Sequence, residues 1–142
     1  MGPRNFREYP VWNEAVDYAT FVYEVTGKLP WFEKKGLCDQ LQRAVVSISS
    51  NIAEGAARSS DAEFAHFLDY ALGSAFEVET QLLIAKNIGY MDEVQYDELI
   101  SKLSSIERQL NGLIDVKVEV KVKVKVKVKI LYYVQAFLQT ID

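Results

Sequence analysis

The sequence predicts an all-α fold: an up-down antiparallel four-helix bundle over residues 1–115, followed by an extension, residues 116–142, expected as a β-strand or extended segment. Three observations carry this reading. Four stretches repeat apolar residues at about 100° per residue, the period of an amphipathic helix. The connections between them are short, which makes consecutive helices antiparallel neighbours. After Asp115 the period falls to two, as Val and Lys alternate from Val116 to Ile130.

The first helix is expected from Val11 to Thr26, with Val11, Ala15, Tyr18, Val22 and Tyr23 on its apolar side; Gly27 and Pro30 stop it. The second begins near Trp31–Leu37 and ends near Arg58, with Leu37, Leu41, Ala44, Val45, Ile48, Ile52 and Ala56 facing inward. The third opens on a capping box, Ser60 and Glu63, in which each side chain accepts from the other's amide. It runs to about Asn87, with Gly89 just past its end. Phe64, Leu68, Ala71, Ala75, Val78, Leu82 and Ala85 form its main stripe, and Leu72, Phe76 and Leu83 form a second beside it. A helix apolar over so much of its girth touches more than one neighbour. The fourth opens at Asp92 and reaches about Ile114, with Leu99, Leu103, Ile106 and Leu110 in its stripe.

In the extension, a two-residue period puts every Val on one strand face and every Lys on the other. A helix would scatter the valines around its surface, at about 0.5 kcal/mol each relative to Ala. Extended structure is favoured, although no Gly, Pro or Asn after Gly112 stops the fourth helix from running on. A slipped DNA repeat would also produce such a pattern.

The net charge of −4 hides a split. Residues 1–115 carry 10 Lys/Arg against 18 Asp/Glu, and residues 116–142 carry 6 Lys against 2 acids. An acidic body thus bears a basic tail. The single cysteine, Cys38, allows no internal disulfide, so a reducing cytoplasm is the expected location. No signal-peptide core precedes the first helix, and no apolar run is long enough to be a transmembrane segment.

Enzyme signatures are few. Glu63-x-x-His66 has the spacing of half a di-iron site, but the chain holds no second histidine, and His66 points away from the apolar stripe. Cys38 has no partner residues of a nucleophilic site near it in sequence. Walker, Rossmann, nucleophile-elbow and paired-cysteine motifs do not occur. The expectation is no enzyme, no cofactor, no catalytic residue and no metal site.

The informative stretch is SISSNIAEGAAR, residues 47–58. On a helical wheel Gln40, Arg43, Ser47, Asn51, Glu54 and Arg58 fall within about 80° of one another. Asp39–Arg43 and Glu54–Arg58 are (i, i+4) pairs with the acid first, the favourable order. Ser50, Ala53, Gly55 and Ala57 keep the neighbouring surface thin. This line is either a solvated face with local ion pairs or a contact seam that another backbone approaches.

The runs Gln40–Ile48 and Ser50–Gly55, with Arg58, resemble the signature of the bacterial 23S rRNA intervening-sequence protein family, also called four-helix-bundle proteins. Val11-Trp12, Pro30, Glu33, Gly36-Leu37, Glu63-Phe64, Gly73-Ser74 and Gly89-Tyr90 support the likeness, which covers about Phe6 to Ile114. Ser49 stands where a proline is common. The resemblance implies a cyclic homo-oligomer, typically a pentamer, without established enzymatic activity. It also implies a link to nucleic acid through the related accessory protein of diversity-generating retroelements.

Two functions compete. One is a homo-oligomeric scaffold that binds a partner through the helix 2 and helix 3 surfaces, with Gln40, Arg43, Ser47, Asn51, Glu54 and Arg58 as contacts. The other is an RNA-binding adaptor that uses Lys117, Lys121, Lys123, Lys125, Lys127 and Lys129 together with Arg43 and Arg58. A third, weaker reading has the extension engaging anionic membranes or assembling into β-rich aggregates.

Overall fold

A computed structural model describes residues 4–141. Four helices carry the fold: α1 (Pro10–Thr26), α2 (Leu37–Ala56), α3 (Asp61–Ile88) and α4 (Glu93–Leu138). Short 3-10 turns lie at Phe6–Glu8 and Trp31–Glu33, and no strand occurs among the described residues. Each helix packs on its neighbours in the cycle α1–α2–α3–α4–α1, with no close backbone approach across the diagonals. Cross-bonds fix the directions. Ser47 of α2 meets Ser74 of α3 near mid-helix, and Gly55 lies against Phe64 and Phe67 at the start of α3. Lys86 pairs with Glu93 at one end of α3, and Asp61 with Lys117 at the other. Neighbouring helices are therefore antiparallel.

Local chemistry sets the ends. Pro10 starts α1, where its missing N–H costs nothing. The hydroxyl of Ser60 caps α3 by accepting from the Glu63 amide at 3.2 Å. The reciprocal half of the expected capping box is rearranged: the Glu63 carboxylate accepts from the Ser59 and Ser60 hydroxyls instead of the Ser60 amide. Gly89 ends α3 at φ 94°, and the Tyr90 amide donates to the Ala85 carbonyl at 2.9 Å. This left-handed cap suits glycine, which has no Cβ to strain.

Glu33 caps α2 from outside the helix. Its carboxylate accepts from the Leu37 amide at 3.1 Å and from the Tyr90 hydroxyl at 2.8 Å. A Cβ on Gly36 would sit 2.7 Å from that carboxylate. The two bonds hold the Glu33 carboxyl below its usual range, the amide being the larger cause.

The core is the inward side of all four helices. Tyr18, Val22, Leu41, Ile48, Ile52, Phe64, Leu68, Leu82, Leu99, Leu103, Ile106 and Leu110 are buried. Each such side chain contributes about 1.5–3 kcal/mol on burial. The buried Tyr18 hydroxyl donates to the Leu99 carbonyl at 3.1 Å. Cys38, a free thiol, is also buried, and burial followed by the charge of Glu33 pushes its pKa up.

The extension departs from the sequence expectation. Residues 116–138 are not a strand: they continue α4, a single helix of 46 residues. The physical reason is cooperativity. A nucleated helix gains one hydrogen bond for each residue it adds, whereas a lone strand leaves its backbone groups without partners. That difference outweighs the helix cost of valine. Lys117 ties the junction to Asp61 at 3.3 Å, and Glu119 pairs with Lys123 at 3.1 Å one turn on. From Val118 to Ile141 every residue is exposed.

Candidate docking surface

The polar line read from the sequence lies along one flank of α2. Gln40, Arg43 and Glu54 are exposed, while Ser47, Asn51 and Arg58 are half-buried where α2 meets α3. Both expected ion pairs form. Arg43 Nε donates to both Asp39 oxygens at 3.0 and 3.1 Å, and Arg58 reaches Glu54 at 3.1 Å. Asn51 turns inward along its own helix, donating to the Ser47 carbonyl and hydroxyl at 2.8 and 2.9 Å. Arg58 also covers the Phe67 ring at 4.6 Å, and its Nε is buried without a hydrogen-bond partner.

The small residues divide into two sets with different uses. A Cβ on Gly55 would sit 2.6 Å from Phe67 Cβ and 3.0 Å from Phe64. Ala56 is fully buried, and Ser47 bonds Ser74 at 2.8 Å. These residues let α3 of the same chain approach, so the seam they form is internal. Ser50 and Ala57 remain exposed.

Two open grooves border the ridge. One, of about 500 Å³, is lined by Tyr23, Gln42, Arg43, Val46, Asn51 and Glu54. The other, of about 470 Å³, lies between α2 and α3 and is lined by Gln40, Arg43, Ser47, Ser74, Glu77 and Gln81. Gln81 Oε1 is buried there without a hydrogen-bond partner.

The tail lysines are dispersed rather than aligned. A helix turns the two-residue alternation into positions all round its surface. Lys117 is engaged with Asp61, and Lys123 with Glu119. Lys121, Lys125, Lys127 and Lys129 are exposed and form no ion pair among the described residues. His66 is exposed, with its Nε2 2.8 Å from the Tyr70 hydroxyl. No group of three or more His, Cys, Asp or Glu able to hold a metal gathers among the described residues. No described helix is long and apolar enough to cross a membrane.

Several features were not legible from sequence spacing. Arg4 bonds the Arg58 carbonyl at 2.9 Å and pairs with Asp61, which Lys117 reaches from α4. These cations, Arg4 first, hold the Asp61 carboxyl below its usual range. On the α3–α4 side, burial and then the neighbouring Glu79 push Glu107 up to about 7. Partners dozens of residues apart leave no periodic signal.

The 23S rRNA-intervening sequence protein family matches residues 7–112, ending before the Val/Lys segment. Among solved structures, one of a protein of unknown function from the S23 ribosomal protein family of Bacteroides thetaiotaomicron is similar in fold. It has a TM-score of 0.69 and 25% identity, covering 74% of this chain and 95% of that one. No curated protein matches the chain. The motif residues of the resemblance take structural places: Glu33, Gly36 and Tyr90 form the α2 cap, and Gly55 and Ser74 the α2–α3 seam. Matched over most of its length, the chain belongs to the 23S rRNA-intervening sequence protein family.

Proposed function

We propose that the protein is a non-enzymatic, homo-oligomeric scaffold whose bundle, residues 1–115, binds a partner through the α2/α3 surface, with residues 116–142 as an appended arm. The observation that carries this is the ridge itself: Gln40, Arg43, Ser47, Asn51, Glu54 and Arg58 on one flank between two open grooves. Exposed apolar side chains stand nearby, including Tyr23, Val46 and Tyr70. The unpartnered Gln81 carbonyl gives the second groove an acceptor for an incoming donor. A reducing cytoplasm suits the lone, buried Cys38, and a pentamer is the assembly that the resemblance implies. Sedimentation of the full chain at micromolar concentration tests the reading. It expects a defined oligomer that R43A/N51A/E54A weakens without loss of helicity; a monomer overturns it.

RNA binding by the tail is a second reading, supported by four exposed lysines without ion-pair partners. Arg43 and Arg58 are each paired to an acid, and the acidic body opposes phosphate, so the tail has to supply the affinity. Binding of single-stranded RNA measured against salt expects a slope that falls when Lys121, Lys125, Lys127 and Lys129 become Gln. An unchanged slope removes the tail from this role.

A further inference from the structure

We propose that the turn joining α1 to α2, residues 27–36, is a contact site for an anionic lipid bilayer: Trp31 and Phe32 enter the headgroup region while Lys28, Lys34 and Lys35 bind lipid phosphates. The site lies apart from the α2/α3 ridge and from the tail, so the inference goes beyond the scaffold reading.

The turn holds two large aromatic side chains in solvent. Trp31 is 86% exposed and Phe32 61%. Tryptophan is highly buried on average in folded proteins, so this exposure calls for a cause. A slack loop does not supply it. The Glu33 amide donates to the Pro30 carbonyl at 2.9 Å, the Lys34 amide to the Trp31 carbonyl at 3.2 Å, and the Gly36 amide to the Glu33 carbonyl at 2.9 Å. Leu29 is buried beneath, and the Glu33 carboxylate is tied to the Leu37 amide and the Tyr90 hydroxyl. The rings stand on a fixed platform and meet edge to face, at 80° with centroids 6.1 Å apart.

Charge singles out the same turn. Of the 10 Lys/Arg in residues 1–115, three flank these rings. Lys28, Lys34 and Lys35 are exposed and form no ion pair among the described residues. Elsewhere in the bundle Arg4, Arg43, Arg58 and Lys86 are each paired to an acid. The acids around the turn are mostly engaged. Glu33 caps α2, Asp39 holds Arg43, Asp92 accepts from the Gln95 amide, and Glu93 pairs with Lys86. Glu24 and Asp97, in the last turn of α1 and the second turn of α4, form no ion pair among the described residues. The acidic body thus ends in a basic, aromatic tip.

The Tyr90–Glu33 bond sets the α3–α4 connection beside this turn, and Ile88 and Val94, which flank that connection, are also exposed. The tail leaves from the opposite end, where Lys117 meets Asp61. An apolar tip bracketed by cations suits a bilayer surface, where aromatic rings settle at headgroup level and lysines meet anionic lipid. Single-stranded nucleic acid calls for ring faces on which successive bases stack; the edge-to-face pair leaves no slot for a base between its rings. No described helix is long and apolar enough to cross a membrane, so the contact is peripheral. A cyclic ring of copies carries one turn per copy at the same height along its axis, which multiplies a weak contact.

Flotation of the full chain with vesicles of mixed phosphatidylglycerol and phosphatidylcholine tests this. The expected result is binding to the mixed vesicles and little to phosphatidylcholine alone. W31A/F32A is expected to weaken binding about tenfold or more. K28Q/K34Q/K35Q is expected to weaken it on the order of a hundredfold, about fivefold for each lysine. Circular dichroism should be unchanged in both, since all five side chains are exposed. With Trp12→Phe leaving Trp31 as the single tryptophan, its emission should shift to the blue on binding and be quenched by brominated lipid. Failure to bind the mixed vesicles overturns the proposal, as does a Trp31 emission unchanged in the bound protein. Binding kept by both turn variants but lost when Lys121, Lys125, Lys127 and Lys129 become Gln assigns the membrane to the tail and overturns it too. So does a W31A/F32A chain that loses single-stranded RNA but keeps the vesicles.

Discussion

The two halves of α4 share one backbone hydrogen-bond ladder and almost nothing else. Up to Ile114 the helix buries Leu99, Leu103, Ile106 and Leu110 against α1 and α3; beyond Lys117 every side chain is exposed. In the first half tertiary burial stabilises the helix. In the second it persists by propagation from the first, against the preferences of its valines. A helix is thus not evidence of a packed helix, and the two halves should respond to substitution in opposite ways.

The largest contrast comes from shortening side chains. Leu103→Ala is expected to cost about 2–5 kcal/mol, because it leaves a cavity among fully buried neighbours. Val124→Ala in the tail should leave unfolding unchanged and raise tail helicity by a few tenths of a kcal/mol. Urea unfolding followed by circular dichroism reads both. If the two variants behave alike, the contrast between the halves is wrong.

Next in size are the two glycines. Gly55→Ala forces a Cβ into Phe67 and should cost about 1–3 kcal/mol. Gly73→Ala enters open space and should stabilise the bundle by about 0.5–1 kcal/mol.

A smaller effect follows from Glu107. Its folded pKa, about 7, lies above the ordinary carboxyl value because of burial and Glu79. The folded state therefore holds the proton more tightly than the unfolded state, and stability falls as pH rises from about 4.5 to about 7. Glu107→Gln removes that loss. It should stabilise the protein at pH 8 by roughly 1 kcal/mol, after allowing for the solvent that screens a partly exposed group, and by nothing at pH 4.5. Melts at the two pH values check the sign.

The smallest effect is at the ridge. Arg43→Ala breaks an exposed (i, i+4) pair and should move stability by no more than about 0.5 kcal/mol. Any larger effect on assembly then reports docking rather than folding.

Much of this was legible in the sequence, and the rest failed for identifiable reasons. The α1–α4 core positions follow from periodicity, and Gly89 marked the end of α3, because those signals are local. The alternation after Asp115 predicts a strand only while its two-residue period is weighted above the absence of any breaker between it and the fourth helix. The deciding fact, a preformed helix just upstream with no breaker between, belongs to the neighbouring segment. The ridge of α2 stood where its spacing placed it. Gly55 was assigned to an outer surface because nothing in α2 announces that Phe67 fills the space beside it. The Glu33–Tyr90 cap and the Arg4–Asp61–Lys117 clasp join residues more than fifty positions apart, beyond the reach of any pattern.

That clasp has a geometric consequence. It pins α4 at the last point where the bundle can hold it, so everything beyond is aimed by helical pitch alone. Removing one residue between Glu119 and Lys121 would swing the distal arm by about 100° and draw it in by about 1.5 Å, with every exposed side chain beyond it intact. Such a deletion would uncouple bearing from composition, a separation no point substitution offers.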